Sequence, residues 1–363
     1  MGRDNLCDPP IPVVLLNRID VCAHVRLDTP LQAMQAVGAV TLHGCTEETD
    51  DRLPLAALGQ AENSIVLIER QLYFPDPGLA GLFGATVMRG NLLLHEMDDH
   101  PSVVRDLEET NYFSFRAVSA VQTSTPPLAD VLRELNPHVI LLENQLADLP
   151  PQRRYARGAA RVTVFFGALN RGADWAPLMD ALNEVIRVHG ERLSFLVTGD
   201  RAFYDELRTL RKEFIWGEKD GDPVASYADY TAALHRADIA LLPLGDTVFN
   251  RAKSDLKFIE AAGHGAAVLA SPTVYERTVR DGETGLIYHD VRDFAEKLTL
   301  LITNDELRIR LAENAYRYVA AHRLIAHHVE EYTAAYRDLF ARSEELERDR
   351  RARMERYFPG LLP

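Results

Sequence analysis

Short apolar runs alternate with amphipathic stretches along this chain, and the alternation restarts once. In the first half the runs at 13–17, 39–43, 64–69, 91–95, 117–124 and 139–143 are bounded by turn-forming residues. Helical spacing of apolar residues fills the intervals, most clearly over 31–37 and 127–135. A strand that is apolar throughout needs cover on both faces, so the pattern predicts a parallel sheet between helices. The stretch 147–158, rich in proline, glutamine and arginine, interrupts the pattern and predicts a linker. The order then resumes with a strand over 162–166, a helix over 175–189, a strand over 193–198 and helices over 203–213 and 227–235. Further strands are expected at 237–244 and 267–270, and from 291 onward the chain reads as almost wholly helical, notably over 305–321 and 324–347. The expectation is an α/β protein of two Rossmann-like, doubly wound domains. Residues 1–150 form the first, 151–322 the second, and 323–363 a helical segment.

Ligands of doubly wound sheets bind beyond the carboxyl ends of the strands, so residues just after strands are the first candidates for chemistry. The densest candidate region is 250–270. A helix closing on Gly263-His264-Gly265 carries Lys253, Lys257, Glu260 and His264 at i, i+4, i+7 and i+11. At about 100° per residue these fall on one stripe, with Leu256, Phe258, Ile259 and Ala262 around the rest. The start of this helix, Lys253-Ser254-Asp255-Leu256-Lys257, combines free backbone N–H groups with two cations, which suits a phosphate. Glu260 supplies an acceptor for hydroxyl groups. A solvated polar helix face has the same spacing, so spacing alone leaves both readings open.

Three other strand ends carry candidates. Asn91-Leu92-Leu93-Leu94 runs into His95-Glu96-Met97-Asp98-Asp99-His100, a concentration of titratable groups that equally fits an exposed acidic loop. Gly167-Ala168-Leu169-Asn170-Arg171 follows the first strand of the second half, and Arg171 has the fork geometry that phosphate oxygens accept. An exposed arginine paired with Asp174 is the alternative. Gly199 and Asp200 end another strand at a tight turn. Arg26 is a weaker candidate after the first strand, and Ser124-Thr125-Pro126-Pro127 reads as a helix cap.

Glu260, Gly265-Ala266-Ala267-Val268-Leu269-Ala270, Tyr275 and Asp281-Gly282-Glu283-Thr284-Gly285-Leu286 together resemble the donor-site region of retaining glycosyltransferases with the two-domain GT-B fold. Their signature is Glu, seven residues, Glu, then Gly-x-Pro-Val-Val-Ala. Glu260 falls on the second glutamate, and Ala252 stands where the first would be. The resemblance implies two domains facing a cleft, with the last helix crossing back onto the first. It also implies transfer of a sugar from a nucleotide-diphosphate sugar to a glycan, lipid-linked or protein acceptor, with retention of configuration. The donor would bind mainly the second domain, through Gly167, Asn170, Arg171, Gly199, Asp200, Lys253, Ser254, Asp255, Leu256, Lys257 and Glu260. Arg171 and Lys257 would balance the diphosphate without a metal or other cofactor, Glu260 would hold donor hydroxyls, and Asp98 or His95 would face the acceptor. Two alternatives remain: an epimerase or hydrolase using Asp98 and Asp99, and a sugar-nucleotide-binding partner subunit without turnover, which Ala252 keeps open.

Bulk properties change this picture little. The chain has 363 residues, enough for about two domains, and a formal charge of −14 that disfavours nucleic acid. Cys7, Cys22 and Cys45 lack the spacing of a disulfide framework or zinc site, which fits a reduced, cytoplasmic setting. No window is long and apolar enough for a membrane span, so membrane contact is at most peripheral. The basic run Arg348-Asp349-Arg350-Arg351-Ala352-Arg353 is either such a contact or the solvated end of a helix. His322, His327 and His328 have no neighbours with metal-ligand spacing.

Overall fold

A computed structural model describes residues 9–16, 23–43, 61–70, 73–103, 107–155, 157–217 and 224–361. The three cysteines lie outside these residues. The chain forms two compact units, the first built from Met1–Ala147 with Ile325–Pro363 and the second from Asp148–Leu324.

The first unit is a parallel sheet of β1 (Ile11–Leu15), β2 (Val40–His43), β3 (Ile65–Glu69), β4 (Leu92–Glu96), β5 (Ala120–Thr123) and β6 (Val139–Leu141). Their spatial order is β2-β1-β3-β4-β5-β6, in registers such as Val13↔Ile65, Ile65↔Leu92 and Leu94↔Ala120. Every residue of β3, β4 and β5 is buried, as expected of strands covered on both faces. Asp76 caps the helix Pro77–Met88, and Thr125 caps Pro126–Arg133 by accepting from the Leu128 N–H, which is the structural role expected for Thr125. The chain lays β2 on one side of β1 and β3 on the other, so the order of this sheet switches between β1 and β3.

The C-terminal helices belong to this unit. Val329, Tyr332, Tyr336 and Leu339 of the helix Val329–Ala341, with Leu346 of Ser343–Tyr357, join the core made by β1, β3 and β4. Each buried apolar side chain of this size contributes up to about 1.5–3 kcal/mol. The Tyr336 hydroxyl donates to Gln122 Oε1 at 2.9 Å. The basic run is not wholly solvated. Arg353 donates to the carbonyls of Arg116 (3.2 Å) and Val118 (2.8 Å), while Arg350 turns inward to Glu347 and the Ala117 carbonyl. These carbonyls follow the short helix Phe113–Arg116 and lack helical donors of their own, so guanidinium groups supply them. Burial lowers the Arg353 guanidinium to about 10.

The second unit is a parallel sheet of β7 (Val162–Gly167), β8 (Leu193–Thr198), β9 (Lys212–Phe214), β10 (Ile239–Leu242), β11 (Ala267–Ala270) and β12 (Leu286–Ile287), in the order β12-β11-β10-β7-β8-β9. Its core packs Val164, Phe166, Phe195 and Leu269 against Leu178 and Leu182 of the helix Gly172–His189 and Phe294 and Leu298 of Val291–Thr303. From β7 the chain moves outward through β8 and β9, then crosses to place β10 on the other side of β7. The switch point, and the crevice that a doubly wound sheet opens there, lies at the carboxyl ends of β7 and β10.

Several expected elements are corrected. The helix expected over 203–213 is a short one, Arg201–Glu206, followed by the edge strand β9. Leu207 turns extended, and Phe214 is buried beside β8, so tertiary pairing overrides helical propensity there. The C-terminal helix expected over 324–347 is broken, with Ile325–His327 as a 3-10 turn before Val329–Ala341 and Ser343–Tyr357. No described helix is long and apolar enough to cross a membrane.

Candidate functional site

The turn after β7 is shaped by what surrounds it. A Cβ on Gly167 would lie 2.4 Å from the Phe165 ring and 2.9 Å from the Tyr230 ring. Gly199, after β8, has φ +82°, and a Cβ there would lie 2.3 Å from the Ala168 carbonyl oxygen, so only glycine lets the two turns approach. Asn170 takes a left-handed conformation (φ +56°), which asparagine tolerates better than most residues. This bend delivers Arg171 to the head of the helix Gly172–His189.

Arg171 reaches across the switch point. Its Nη1 donates to Asn250 Oδ1 at 2.9 Å and sits 3.4 Å from Asp174 Oδ2. Asn250 belongs to Val248–Arg251, the one-turn helix after β10, and it is 3% exposed. Its Nδ2 donates to Asp174 Oδ1 (2.7 Å) and to the Gly245 carbonyl (2.9 Å), while Asp174 Oδ1 also accepts from the Gly245 N–H (2.8 Å). The pairing of Arg171 with Asp174 expected as the alternative is therefore present, but it is the longer of the two contacts.

The lysine-rich helix starts later than its spacing suggests. It spans Leu256–Gly263, and Lys253 lies in the break after Val248–Arg251, so the stripe of four residues on one helix is corrected. The Lys253 N–H donates to the Asn250 carbonyl, and its ammonium lies 4.6 Å from the Phe249 ring, which Arg171 approaches at 5.6 Å. Ser254 Oγ is 3.4 Å from the Leu256 N–H. Asp255 is held by the Arg323 guanidinium and by the Thr278 hydroxyl at 2.8 Å, so its carboxylate is engaged inside the unit. Asp200 is likewise engaged, capping Phe203 at 3.0 Å and accepting from Trp175 Nε1 at 2.8 Å.

Glu260 is not on a solvated face. It is 2% exposed, and its Oε2 accepts from the Tyr230 hydroxyl at 2.9 Å. The Tyr227 hydroxyl also hydrogen-bonds it, and Lys257 Nζ lies 3.5 Å from Oε2 and 4.1 Å from the centre of the Tyr230 ring. Burial, and then the Glu260 charge, push both phenols well above the ordinary tyrosine range. Tyr275 is raised by burial too, against the opposing charge of Arg171 and with Asp255 and Glu260 adding to the rise. His264 ends the helix, its Nδ1 2.8 Å from the Glu260 carbonyl. Sequence reasoning missed Asn250, Tyr227 and Tyr230. The i, i+3 tyrosines at the start of Tyr227–Arg236 were a usable signal, while nothing around Asn250 announced its partners.

In the first unit the strand ends hold a second polar cluster. Arg26, in the turn His24–Asp28, donates to both Glu96 oxygens (2.7 and 3.1 Å), the Leu142 carbonyl (2.7 Å) and Asn144 Oδ1 (2.8 Å). Burial raises the Glu96 carboxyl while Arg26 opposes the rise. His95 is 1% exposed, burial lowers its imidazole to about 3, and its ring lies 4.8 Å from that of Phe115. Asp98 Oδ1 lies 3.5 Å from Arg70 Nε, and Asp99 bonds Arg70 Nη2. The two carboxylates share one guanidinium because the chain bends at Asp99 instead of continuing β4. Among the described residues, the set of His, Asp and Glu atoms lying within 4.8 Å of one another is His138, Glu345 and Asp349. There Arg342 Nη2 approaches His138 Nδ1 at 3.1 Å. A guanidinium only donates, so His138 Nδ1 accepts, and Nε2–H donates to Asp349 at 3.0 Å. Both ring nitrogens are thus taken.

Residues 176–334 match the model of a family described as glycosyl transferase-like. No curated protein matches the sequence. Among solved structures, Anabaena HepE in complex with UDP-glucose is 12% identical, with 90% of this chain and 100% of that one covered and a TM-score of 0.60. Sucrose-phosphate synthase from Thermosynechococcus elongatus is 15% identical over 91% and 99% of the two chains, with a TM-score of 0.59. A mutant of S. aureus TarM, in complex with fondaparinux, alpha-GlcNAc-glycerol and UDP, is 13% identical over 80% of this chain, with a TM-score of 0.55. The chain spans 59% of the length of that TarM structure. Two parallel six-stranded sheets interleaved with helices, together with these neighbours, give the chain the GT-B glycosyltransferase fold, and residues 176–334 carry its match to a glycosyl transferase-like family.

Proposed function

We propose that the protein is a glycosyltransferase that binds a nucleotide-diphosphate sugar on its second unit and passes the sugar to an acceptor held by its first. The observation that carries this reading is the set of Arg171, Lys257 and Glu260 at the carboxyl ends of β7 and β10, two cations and a buried carboxylate where a doubly wound sheet binds ligands. HepE and the TarM mutant, which share the fold, were solved with UDP-glucose and with UDP.

In this reading Arg171 and Lys257 lie against the diphosphate and Glu260 accepts hydrogen bonds from donor hydroxyls. The bond from the anomeric carbon to the phosphate oxygen breaks as the acceptor oxygen bonds to that carbon on the same face, and the acceptor's proton passes to the leaving phosphate. The configuration is retained. The charge that grows on the departing diphosphate is met by fixed cations, an effect commonly worth about 3–4 kcal/mol per group removed. The diphosphate is balanced by side chains, and turnover proceeds without a divalent metal. In the first unit Asp98 orients the acceptor. His95 is buried and neutral, so it is poorly placed to exchange protons, whereas Asp98 is partly exposed. The product belongs to a surface glycan or a glycosylated protein.

The test is a panel of nucleotide sugars incubated with the protein and candidate acceptors in EDTA. Acceptor-dependent release of nucleoside diphosphate supports the reading. Equal release without acceptor would mean a hydrolase, and binding without release a partner subunit.

A further inference from the structure

We infer that Asn250 is a positioning residue that holds Arg171 with its phosphate-binding edge free. The inference rests on the donor reading above and assigns a role to a residue that the sequence did not single out.

A guanidinium binds phosphate best through two N–H groups on one edge. Arg171 has two edges of interest, one through Nη1 and the other through Nε and Nη2. Within the described residues its hydrogen bonds are made by Nη1 alone, to Asn250 Oδ1 at 2.9 Å and to Asp174 Oδ2 at 3.4 Å, while the guanidinium carbon lies 5.6 Å from the centre of the Phe249 ring. The Nε and Nη2 edge therefore keeps its donors for a ligand. Left alone, an arginine three positions from an aspartate closes onto it in a short ion pair, as Arg133 does on Asp130 at 2.6 Å and Arg308 on Asp305 at 2.8 Å. Arg171 does not close in this way, and Asn250 is the reason. Its amide donates to Asp174 Oδ1 at 2.7 Å, and the Gly245 N–H donates to the same oxygen, so that the carboxylate is held toward the β10 loop. Its carbonyl oxygen meanwhile takes Nη1. Asn250 itself cannot drift, because its amide also donates to the Gly245 carbonyl and Thr247 caps its backbone N–H at 3.1 Å. One buried side chain thus holds the Arg171–Asp174 contact to a single long bond through Nη1 and leaves the other edge of the cation available.

Calorimetry with UDP, GDP, ADP and the matching nucleosides tests this on wild type, Asn250→Ala, Asn250→Asp, Arg171→Ala and the Asn250→Ala/Arg171→Ala double variant. The expected result is about tenfold weaker binding of the diphosphate that wild type prefers, with nucleoside binding unchanged, the size of one charge-assisted hydrogen bond. In the Arg171→Ala background, Asn250→Ala should cause no further loss. Asn250→Asp keeps the volume if the alanine variant fails to fold. Its carboxylate would grip Arg171 and repel Asp174, so diphosphate binding should weaken at least as much. Wild-type diphosphate affinity in either folded variant, equal loss for nucleoside, or additive losses in the double variant would overturn the inference. Wild type that binds none of the diphosphates would instead refute the donor reading on which it rests.

Discussion

Glu260→Gln is the substitution whose effect follows most directly from the site. The carboxylate offers about four acceptor positions. The hydroxyls of Tyr230 and Tyr227 use two, and Lys257 stands 3.5 Å away, which leaves room for a donor hydroxyl. Replacing the carboxylate by an amide keeps the volume and one acceptor oxygen but removes the charge. A hydrogen bond to a charged group is worth about 1.5–3 kcal/mol against about 0.5–1.5 kcal/mol for a neutral one, so each hydroxyl bound through Glu260 loses about 1 kcal/mol or somewhat more. With one or two donor hydroxyls, affinity for the nucleotide sugar, or kcat/KM, should fall about 5- to 30-fold. The tyrosine pair also loses its charged acceptor, so the unfolding free energy should fall by about 1–2 kcal/mol. Calorimetric titration with the preferred nucleotide sugar, paired with urea unfolding, reads both quantities. Tyr230→Phe serves as the control. It removes one partner of Glu260 and should lower stability by about 1 kcal/mol while leaving the carboxylate's charge for the donor. A folded Glu260→Gln protein with wild-type donor affinity would refute the assignment, because no route remains by which a bound hydroxyl could fail to sense the loss.

Four further outcomes are expected. Lys257→Ala should weaken binding of the nucleoside diphosphate but not of the nucleoside, since the proposed partner of its ammonium is phosphate; equal loss for both, measured by calorimetry, would indicate a distorted pocket. Asp98→Asn should reduce acceptor-dependent turnover while leaving nucleoside diphosphate binding in the second unit unchanged, and a loss of that binding in direct titration would contradict the division of roles. His95 should make stability fall with acid: its folded value is depressed to about 3 against an ordinary 6.5, so its contribution is complete above pH 6.5 and is lost as pH falls toward 3, by up to about 1.4 kcal/mol per pH unit. Urea unfolding of wild type and His95→Gln between pH 7 and pH 4 should therefore show the steeper decline in wild type, and parallel slopes would count against a buried neutral imidazole. Gly199→Ala should destabilise the second unit by about 2 kcal/mol or more, read from thermal unfolding, because its φ is positive and the new methyl meets the Ala168 carbonyl at 2.3 Å.

The fold was readable because both sheets are built from strands that are apolar on both faces, and the break at 147–158 separated one series from the next. The exceptions have identifiable causes. Phe214 joins an edge strand that only its burial beside β8 explains, since the residues around it are as compatible with a helix. The helix Leu256–Gly263 starts just after Asp255, whose carboxylate is held by Arg323, 68 positions away in sequence, and no local pattern contains that contact. The site divides in the same way. Arg171, Lys257 and Glu260 stood out by chemistry and spacing. Asn250 and the tyrosines at 227 and 230 acquire their meaning from contacts between loops that follow different strands. Periodicity reports which face of a helix is apolar. It does not report that Glu260 sits under two phenols, and for that reason spacing alone left a solvated face and a binding face both open.

The central claim is tested most directly by a crystal structure with the preferred nucleotide sugar bound. The account predicts diphosphate oxygens on the Nε and Nη2 edge of Arg171 and on Lys257 Nζ, with donor hydroxyls on Glu260. A diphosphate bound away from the carboxyl ends of β7 and β10, or bound there through a divalent ion with Arg171 still turned to Asp174, would contradict it.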